Sequence, residues 1–200
     1  MTGAADAIID LYQRHAPAWV AARGTTLHER QWIDRFADLL LADAAVLDIG
    51  CGSGDPIARH LVRRGYPVTG IDSSPEMVAL FQANLPGETA VTADMRALNL
   101  GRRFGGLIAW DSFFHLAHQQ QRRMFPIFRA HVTARAPLLF TSGPAFGEAV
   151  GTLEGEPLYH ASLDPDEYRL LLDGSGFEVV AHTAEDPDCG GHTVWLARSR

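Results

Sequence analysis

Between Val46 and Gly54 the chain reads Val-Leu-Asp-Ile-Gly-Cys-Gly-Ser-Gly, a short apolar run that stops in three alternate glycines, Gly50, Gly52 and Gly54. The pattern predicts a buried strand feeding a tight turn over which a ligand can lie against bare backbone, since glycine accepts unusual backbone angles and puts no side chain in the way. About twenty residues further on, the run Pro67-Val-Thr-Gly-Ile-Asp72 ends in a carboxylate, the position at which an open α/β sheet places its acceptor for ribose hydroxyls. The spacing also discriminates between nucleotides. A dinucleotide fingerprint places a third glycine three positions after the second, where its absent side chain lets a helix N-terminus approach pyrophosphate. Asp55 occupies that position and sets negative charge against a phosphate. The expected ligand carries a ribose and no pyrophosphate.

Around this centre, strand and helix patterns alternate. After the glycine loop, Pro56 fits a first helical turn, and Ile57, Ala58, Leu61 and Val62 give an apolar face that ends at Gly65. Ser74-Pro75 opens a helix through Leu80 and Phe81, and a short strand spans Thr89 to Thr92. Leu107 to Trp110 reads as a buried fourth strand, followed by the loop Asp111-Ser112-Phe113-Phe114-His115. The helix expected over 117–132 carries Pro126 and should kink there, and Pro137 to Thr141 forms a fifth strand. From Ser142 to Ser162, alternation on either side of Glu154-Gly155 predicts a hairpin. Asp164-Pro165-Asp166-Glu167 caps a last helix, and the strands 177–183 and 193–197 close the chain. Ahead of the first strand lie two amphipathic segments, the first interrupted by Pro17 and the second carrying Trp32, Ile33, Phe36, Leu39 and Leu40.

These residues resemble the class I S-adenosylmethionine-dependent methyltransferases. Asp48, Gly50, Gly52 and Gly54 match that family's first motif, an acid-x-Gly-x-Gly-x-Gly loop, and Asp72 matches the acid that ends its second strand. The resemblance implies a Rossmann-like α/β three-layer sandwich with a seven-stranded, mostly parallel sheet and an antiparallel last strand. It also implies S-adenosylmethionine as cofactor and S-adenosylhomocysteine as product. The acid after the third strand in that family accepts from the adenine amino group, which here falls on Asp94 beside the Met95 backbone; a helix N-cap is the competing role for Asp94. Cys51, Ser73, Trp110 and Ser112 complete the expected cofactor wall. From the N-terminal helices, Tyr12, Trp19 and Arg23 are placed to reach the cofactor, Arg23 as partner of its carboxylate, with packing on the sheet edge as the alternative. The Asp-Pro-Pro-aromatic motif of DNA amino-methyltransferases is absent, because Asp111-Ser112-Phe113 lacks both prolines.

One domain is expected over 1–200: a helical cap (1–43), a cofactor-binding core (44–142), a substrate lid (143–162) and a C-terminal helix with strands (163–200). With 200 residues and a hydrophobic content of 46%, the chain can bury one sizeable core. A formal net charge of −7 offers no electrostatic footprint for nucleic acid, so a small-molecule acceptor is favoured. Two cysteines give neither a disulfide framework nor a metal spacing. No metal is expected, and Asp186, Asp188, Cys189 and His192 read as a structural turn because Pro187, Gly190 and Gly191 lie among them. With no basic, apolar leader and no membrane-length stretch, the expected setting is cytoplasmic.

Transfer from a sulfonium demands chiefly an aligned acceptor lone pair, and where a base is useful His115, His160 and Glu148 are the candidates, His115 first because it closely follows the fourth strand. An unperturbed His115 would make turnover rise through pH values of roughly 6 to 7. Two other readings share the motifs: a nicotinamide-dependent oxidoreductase, opposed by Asp55, and a non-catalytic S-adenosylmethionine sensor.

Overall fold

The computed structural model describes residues 5–200, so the first four residues of the expected N-terminal cap lie outside the description. In chain order the elements are α1 (Ile8–Arg23), α2 (Arg30–Ala37), β1 (Val46–Ile49), α3 (Ile57–Arg63), β2 (Val68–Asp72), α4 (Pro75–Asn84), β3 (Thr89–Thr92), β4 (Gly106–Ala109), α5 (His118–Ala130), β5 (Pro137–Ser142), β6 (Gly147–Leu153), β7 (Glu156–Ser162), α6 (Pro165–Gly174), β8 (Phe177–Asp186) and β9 (His192–Ser199). Short 3-10 turns at Met95–Ala97, Phe113–His115 and Pro187–Cys189 link them.

The strands are apolar on both sides because both faces of the sheet are covered. Leu107 and Ala109 of β4 and Leu138 and Phe140 of β5 point into a core built with Met124, Phe125 and Phe128 of α5 and Tyr168 and Leu172 of α6. The intervening Ile108 and Leu139 point the other way, onto Trp32, Ile33 and Phe36 of α2, Leu61 of α3 and Phe81 of α4. That alternation produces three layers. The sheet order is β3-β2-β1-β4-β5-β9-β8, with β1, β2, β3, β4 and β5 parallel and β9 antiparallel to both of its neighbours. The expected seven-stranded, mostly parallel sheet with an antiparallel last strand is therefore observed. In this order β1 and β4 are neighbours, and the chain leaves β1 toward one edge and β4 toward the other, which opens a crevice at their carboxyl ends.

The last two strands run further than the sequence predicts, β8 reaching Asp186 through two register shifts and β9 reaching Ser199. Pro126 lies inside α5, which runs through it as one helix from His118 to Ala130. In α1 the break does occur. His15 leaves helical geometry (φ −112, ψ 15) two residues before Pro17, whose ring crowds the carbonyl of Gln13 and which has no N–H to donate.

The predicted hairpin is the β6–β7 pair, with Leu153 opposite Glu156 and Glu154 and Gly155 both at positive φ, 50° and 81°. Positive φ at both central residues is what the right-handed twist of a two-residue hairpin requires. This ribbon stands apart from the main sheet. Its Tyr159 and Ala161 pack against Ala5, Ile8 and Leu11, so it lies against α1 rather than waving in solvent.

Candidate active site

A cleft lies along the carboxyl ends of β1, β2 and β4 and spans about 1070 Å³ of space open to solvent. The glycine loop forms its floor. Gly50, Gly52 and Gly54 all take positive φ, and Gly54 also has no room for a side chain, since a Cβ there would sit 2.6 Å from the Phe81 ring. Ser112 ties the next strand to this loop by donating from Oγ to the Ile49 carbonyl at 2.7 Å. Cys51 is buried in the same floor, and burial pushes its thiol well above the ordinary range, which leaves it a neutral packing group.

Two carboxylates stand at the strand ends. Asp72 accepts the Gly52 N–H at 3.0 Å on one oxygen and the Ser74 N–H at 2.9 Å on the other, which locks its plane while each oxygen keeps a lone pair. Burial raises its pKa, and those N–H donors work against the shift. Asp48 is more deeply placed. Burial, and then the negative charge of Asp72, push it up to about 7. Ser73 lines the cleft beside Asp72.

At the far end of β3, Asp94 and Met95 line the cleft, but Asp94 is already engaged. Its carboxylate accepts the Arg96 backbone N–H at 2.9 Å and the Arg96 guanidinium at 2.7 to 3.0 Å, so the N-cap role is formed. Burial alone would raise the Asp94 pKa; the Arg96 hydrogen bonds outweigh it and hold the carboxyl below its usual range. Arg23 likewise lines the cleft while its guanidinium is bound by the buried Glu29 and by the Thr26 carbonyl, which leaves only part of its fork for a ligand carboxylate. Asp55 is paired with Arg59 at 2.8 Å, so its repulsion of a phosphate is weaker than the sequence suggests. The helix start nevertheless suits phosphate poorly, because Pro56 at its N-cap has no N–H.

From α1, Tyr12 and Trp19 close the cleft, their rings edge-on at 5.9 Å, with Trp19 over Gly52. Tyr12 bridges to the loop after β4. The His115 Nδ1–H donates to the Tyr159 carbonyl at 2.8 Å, so the lone pair sits on Nε2, where the Tyr12 hydroxyl donates to it at 2.9 Å. Burial drives His115 down to about 4. This corrects the expectation of a freely titrating base: His115 lines the cleft, but its basic nitrogen is occupied, and its proton equilibrium lies well below the 6 to 7 window.

The other two base candidates are corrected by position, as neither lines the cleft. Glu148 accepts the Tyr159 hydroxyl at 2.8 Å on the hairpin, and His160 packs on Phe114 and His115 with its pKa lowered by burial. The Asp186–His192 segment is a turn, in which Asp186 accepts the Trp32 Nε1–H at 2.7 Å and the Asp188 N–H at 3.0 Å. Sequence reasoning missed one pair, Asp111 with His192. Their side chains meet at 3.0 Å beside Trp110, which lines the cleft with Asp111. The local signal was an acid directly following an apolar strand, as at Asp72.

The family profile described as "Methyltransferase domain" matches residues 46–134, the stretch that builds the floor and both strand-end walls. Over 91 residues, 44% of this chain, the sequence is 35% identical to dTDP-3-amino-3,6-dideoxy-alpha-D-glucopyranose N,N-dimethyltransferase of Streptomyces fradiae. Over 54 residues, 26% of the chain, it is 43% identical to trans-aconitate 2-methyltransferase of Escherichia coli. These alignments span 35% and 21% of the two relatives' lengths, so the chain matches about a third or less of either. The fold match extends further. The S-adenosylmethionine-bound structure of CalS10, an amino pentose methyltransferase from Micromonospora echinaspora, superposes with a TM-score of 0.72 at 19% identity, covering 94% of this chain and 97% of that one. Over that share of its length the chain thus has the fold of this methyltransferase. No helix among the described residues is long and apolar enough to cross a membrane.

Proposed function

We propose that the chain is an S-adenosylmethionine-dependent methyltransferase of enzyme class 2.1.1 that acts on a small molecule, as one cytoplasmic domain with no nucleic-acid partner. The observation that carries this reading is Asp72. Its carboxylate is fixed by Gly52 and Ser74 N–H groups at the lip of a glycine floor, with lone pairs left for two ribose hydroxyls. The residues present fit such a cofactor. A nucleoside can lie from Asp94 and Met95 across Asp72, with its amino-acid end toward Arg23. Bound there, S-adenosylmethionine supplies an electrophilic methyl carbon and leaves as S-adenosylhomocysteine.

The protein's own contribution is then placement. Tyr12, Trp19 and the hairpin-backed His115 cover part of the cleft and hold the acceptor in line. We assign His115 the role of orienting the Tyr12 hydroxyl. Glu148 and His160 serve the hairpin. A small-molecule acceptor is supported by the relatives, whose names specify a sugar nucleotide, trans-aconitate and an amino pentose.

Calorimetry with S-adenosylhomocysteine and NAD tests the reading. The homocysteine product should bind and NAD should not, and Asp72→Ala should weaken the binding by about 2 to 3 kcal/mol, the range for charge-assisted hydrogen bonds lost at a buried site. No detectable binding of S-adenosylhomocysteine to folded protein at millimolar concentration would overturn it.

A further inference from the structure

Asp111 leaves β4 with φ at 47°, a left-handed conformation that a non-glycine residue adopts only when its surroundings impose it. The surroundings are specific. The Asp111 N–H donates to Thr141 Oγ1 at 2.9 Å, and its carboxylate lies 3.0 Å from His192 Nε2. The other nitrogen of that ring, Nδ1, lies 2.6 Å from the Cys189 carbonyl. Both imidazole nitrogens therefore face pure acceptors, and only the doubly protonated ring can donate to both. His192 is an imidazolium and Asp111 its carboxylate. In agreement, the hydrogen bond that His192 donates to Asp111 raises His192 to about 9, against the opposing effect of burial.

An ion pair of this kind does not use up the carboxylate. An ionised carboxylate offers about four lone-pair sites, and the pair with His192 and the 3.4 Å contact from Thr141 Oγ1 leave acceptor capacity on the face that lines the cleft. Its side chain is 26% exposed, so the cleft face is open to a ligand and to water. The position within the cleft indicates which ligand. Asp111 follows β4 and lines the cleft with Trp110 and His115, three strands across the sheet from Asp94 and Met95, which follow β3.

We propose that Asp111, held in place by His192, is the specificity-determining carboxylate that seats the acceptor as a protonated amine, which makes the acceptor class an amine rather than an alcohol or a carboxylic acid. This rests on the methyltransferase reading above. His192 is a positioning residue: it fixes the orientation of the carboxylate. One ammonium proton passes to solvent water at the open face. The freed nitrogen lone pair then forms the N–C bond while the C–S bond breaks, its electron pair staying on sulfur. A carboxylic acid acceptor would place a second negative charge against Asp111, and a hydroxyl would forgo the ionic contact.

The test uses the full chain saturated with S-adenosylhomocysteine, with cyclohexylamine and cyclohexanol as paired probes and the ring resonances of 15N-labelled histidine as readout. Cyclohexylamine should shift the His192 resonances saturably and cyclohexanol should not. Asp111→Asn should weaken the amine response at least tenfold and bring the His192 pKa down from about 9 toward its ordinary value, 6.5. His192→Asn, which keeps a donor beside Asp111, should retain part of the amine response, read in that variant on the His115 resonances. Equal responses to amine and alcohol, no response to either, or an amine response untouched by Asp111→Asn would overturn the proposal. A tenfold loss of S-adenosylhomocysteine affinity in Asp111→Asn would overturn it too, because Asp111 would then serve the cofactor's own ammonium. Failure of the wild type to bind S-adenosylhomocysteine would instead overturn the underlying reading, and this inference with it.

Discussion

Asp48 and His115 are both buried in the cleft, and their proton equilibria are displaced in ways that oppose each other as pH changes. Burial and the neighbouring Asp72 raise Asp48 to about 7, so the folded chain holds a proton there that the unfolded chain has released. Its stabilising contribution is full below the ordinary carboxylate range and is lost as pH rises through 7. Burial lowers His115 to about 4, so the unfolded chain takes up the proton first as pH falls. Its contribution is full above the ordinary histidine value and is lost as pH falls toward 4. Between the two values the slopes have opposite sign and largely cancel. Asp48→Asn removes one of them. The variant should therefore gain melting temperature relative to wild type as pH is raised from 4.5 to 7.5, while its own stability falls on the acid side. Thermal melts of both proteins across that range check the sign, and a constant difference would show that Asp48 ionises normally in the fold.

At the scale of elements, the hairpin of β6 and β7 is tied to the rest of the protein on two sides. It is anchored from below, where Gln121 donates from Nε2 to the Ala161 carbonyl at 2.9 Å and accepts from the Tyr168 hydroxyl at 2.6 Å. It grips α1 from above, through Glu156 on Arg14 and His15 and through Tyr159 packed on Ile8 and Leu11. The two anchors bind α1, which carries Tyr12 and Trp19, to the body of the protein. A lid that could be removed without disturbing the cofactor is thus not what the contacts describe. Replacing Gly147 to Ala161 with a short Gly/Ser linker should cost S-adenosylhomocysteine binding about tenfold or more. Exposing even one of the α1 side chains that Tyr159 covers costs about 1.5 to 3 kcal/mol, and tenfold needs only about 1.4. Unchanged affinity in calorimetry would mean that α1 is held without the hairpin, by contacts such as Gln13 on Ser74 and Tyr12 on His115.

At the scale of the whole molecule, what could be read from the chain was what lies close together along it. The glycine loop, the strand-ending Asp72, the Ser74 cap and the Glu154-Gly155 turn are each written in a few consecutive residues, because turn and cap chemistry is local. The alternation of strand and helix carried the layered architecture for the same reason. Contacts made by folding were not legible. Asp111 meets His192 across 81 positions and Tyr12 meets His115 across 103, and in each case it is the sheet order or the seating of α1 that brings them together. Arg23 and Asp94 were legible as wall residues, but not as residues already held by Glu29 and Arg96.

The cleft therefore joins parts that depend on one another, with α1, the glycine floor, the loop after β4 and the hairpin behind it all converging on one ligand volume. Ligand binding should then stabilise the fold as a unit. At a free concentration a hundred times its Kd, S-adenosylhomocysteine should add about 2.7 kcal/mol, which for a domain of this size raises the melting temperature by about 5 to 11 °C. NAD at the same concentration should leave it unchanged. Differential scanning calorimetry decides the matter. A single transition that moves upward supports one cooperative unit closed over its cofactor, whereas an early transition insensitive to the ligand would show that α1 and the hairpin melt away from a sheet that binds without them.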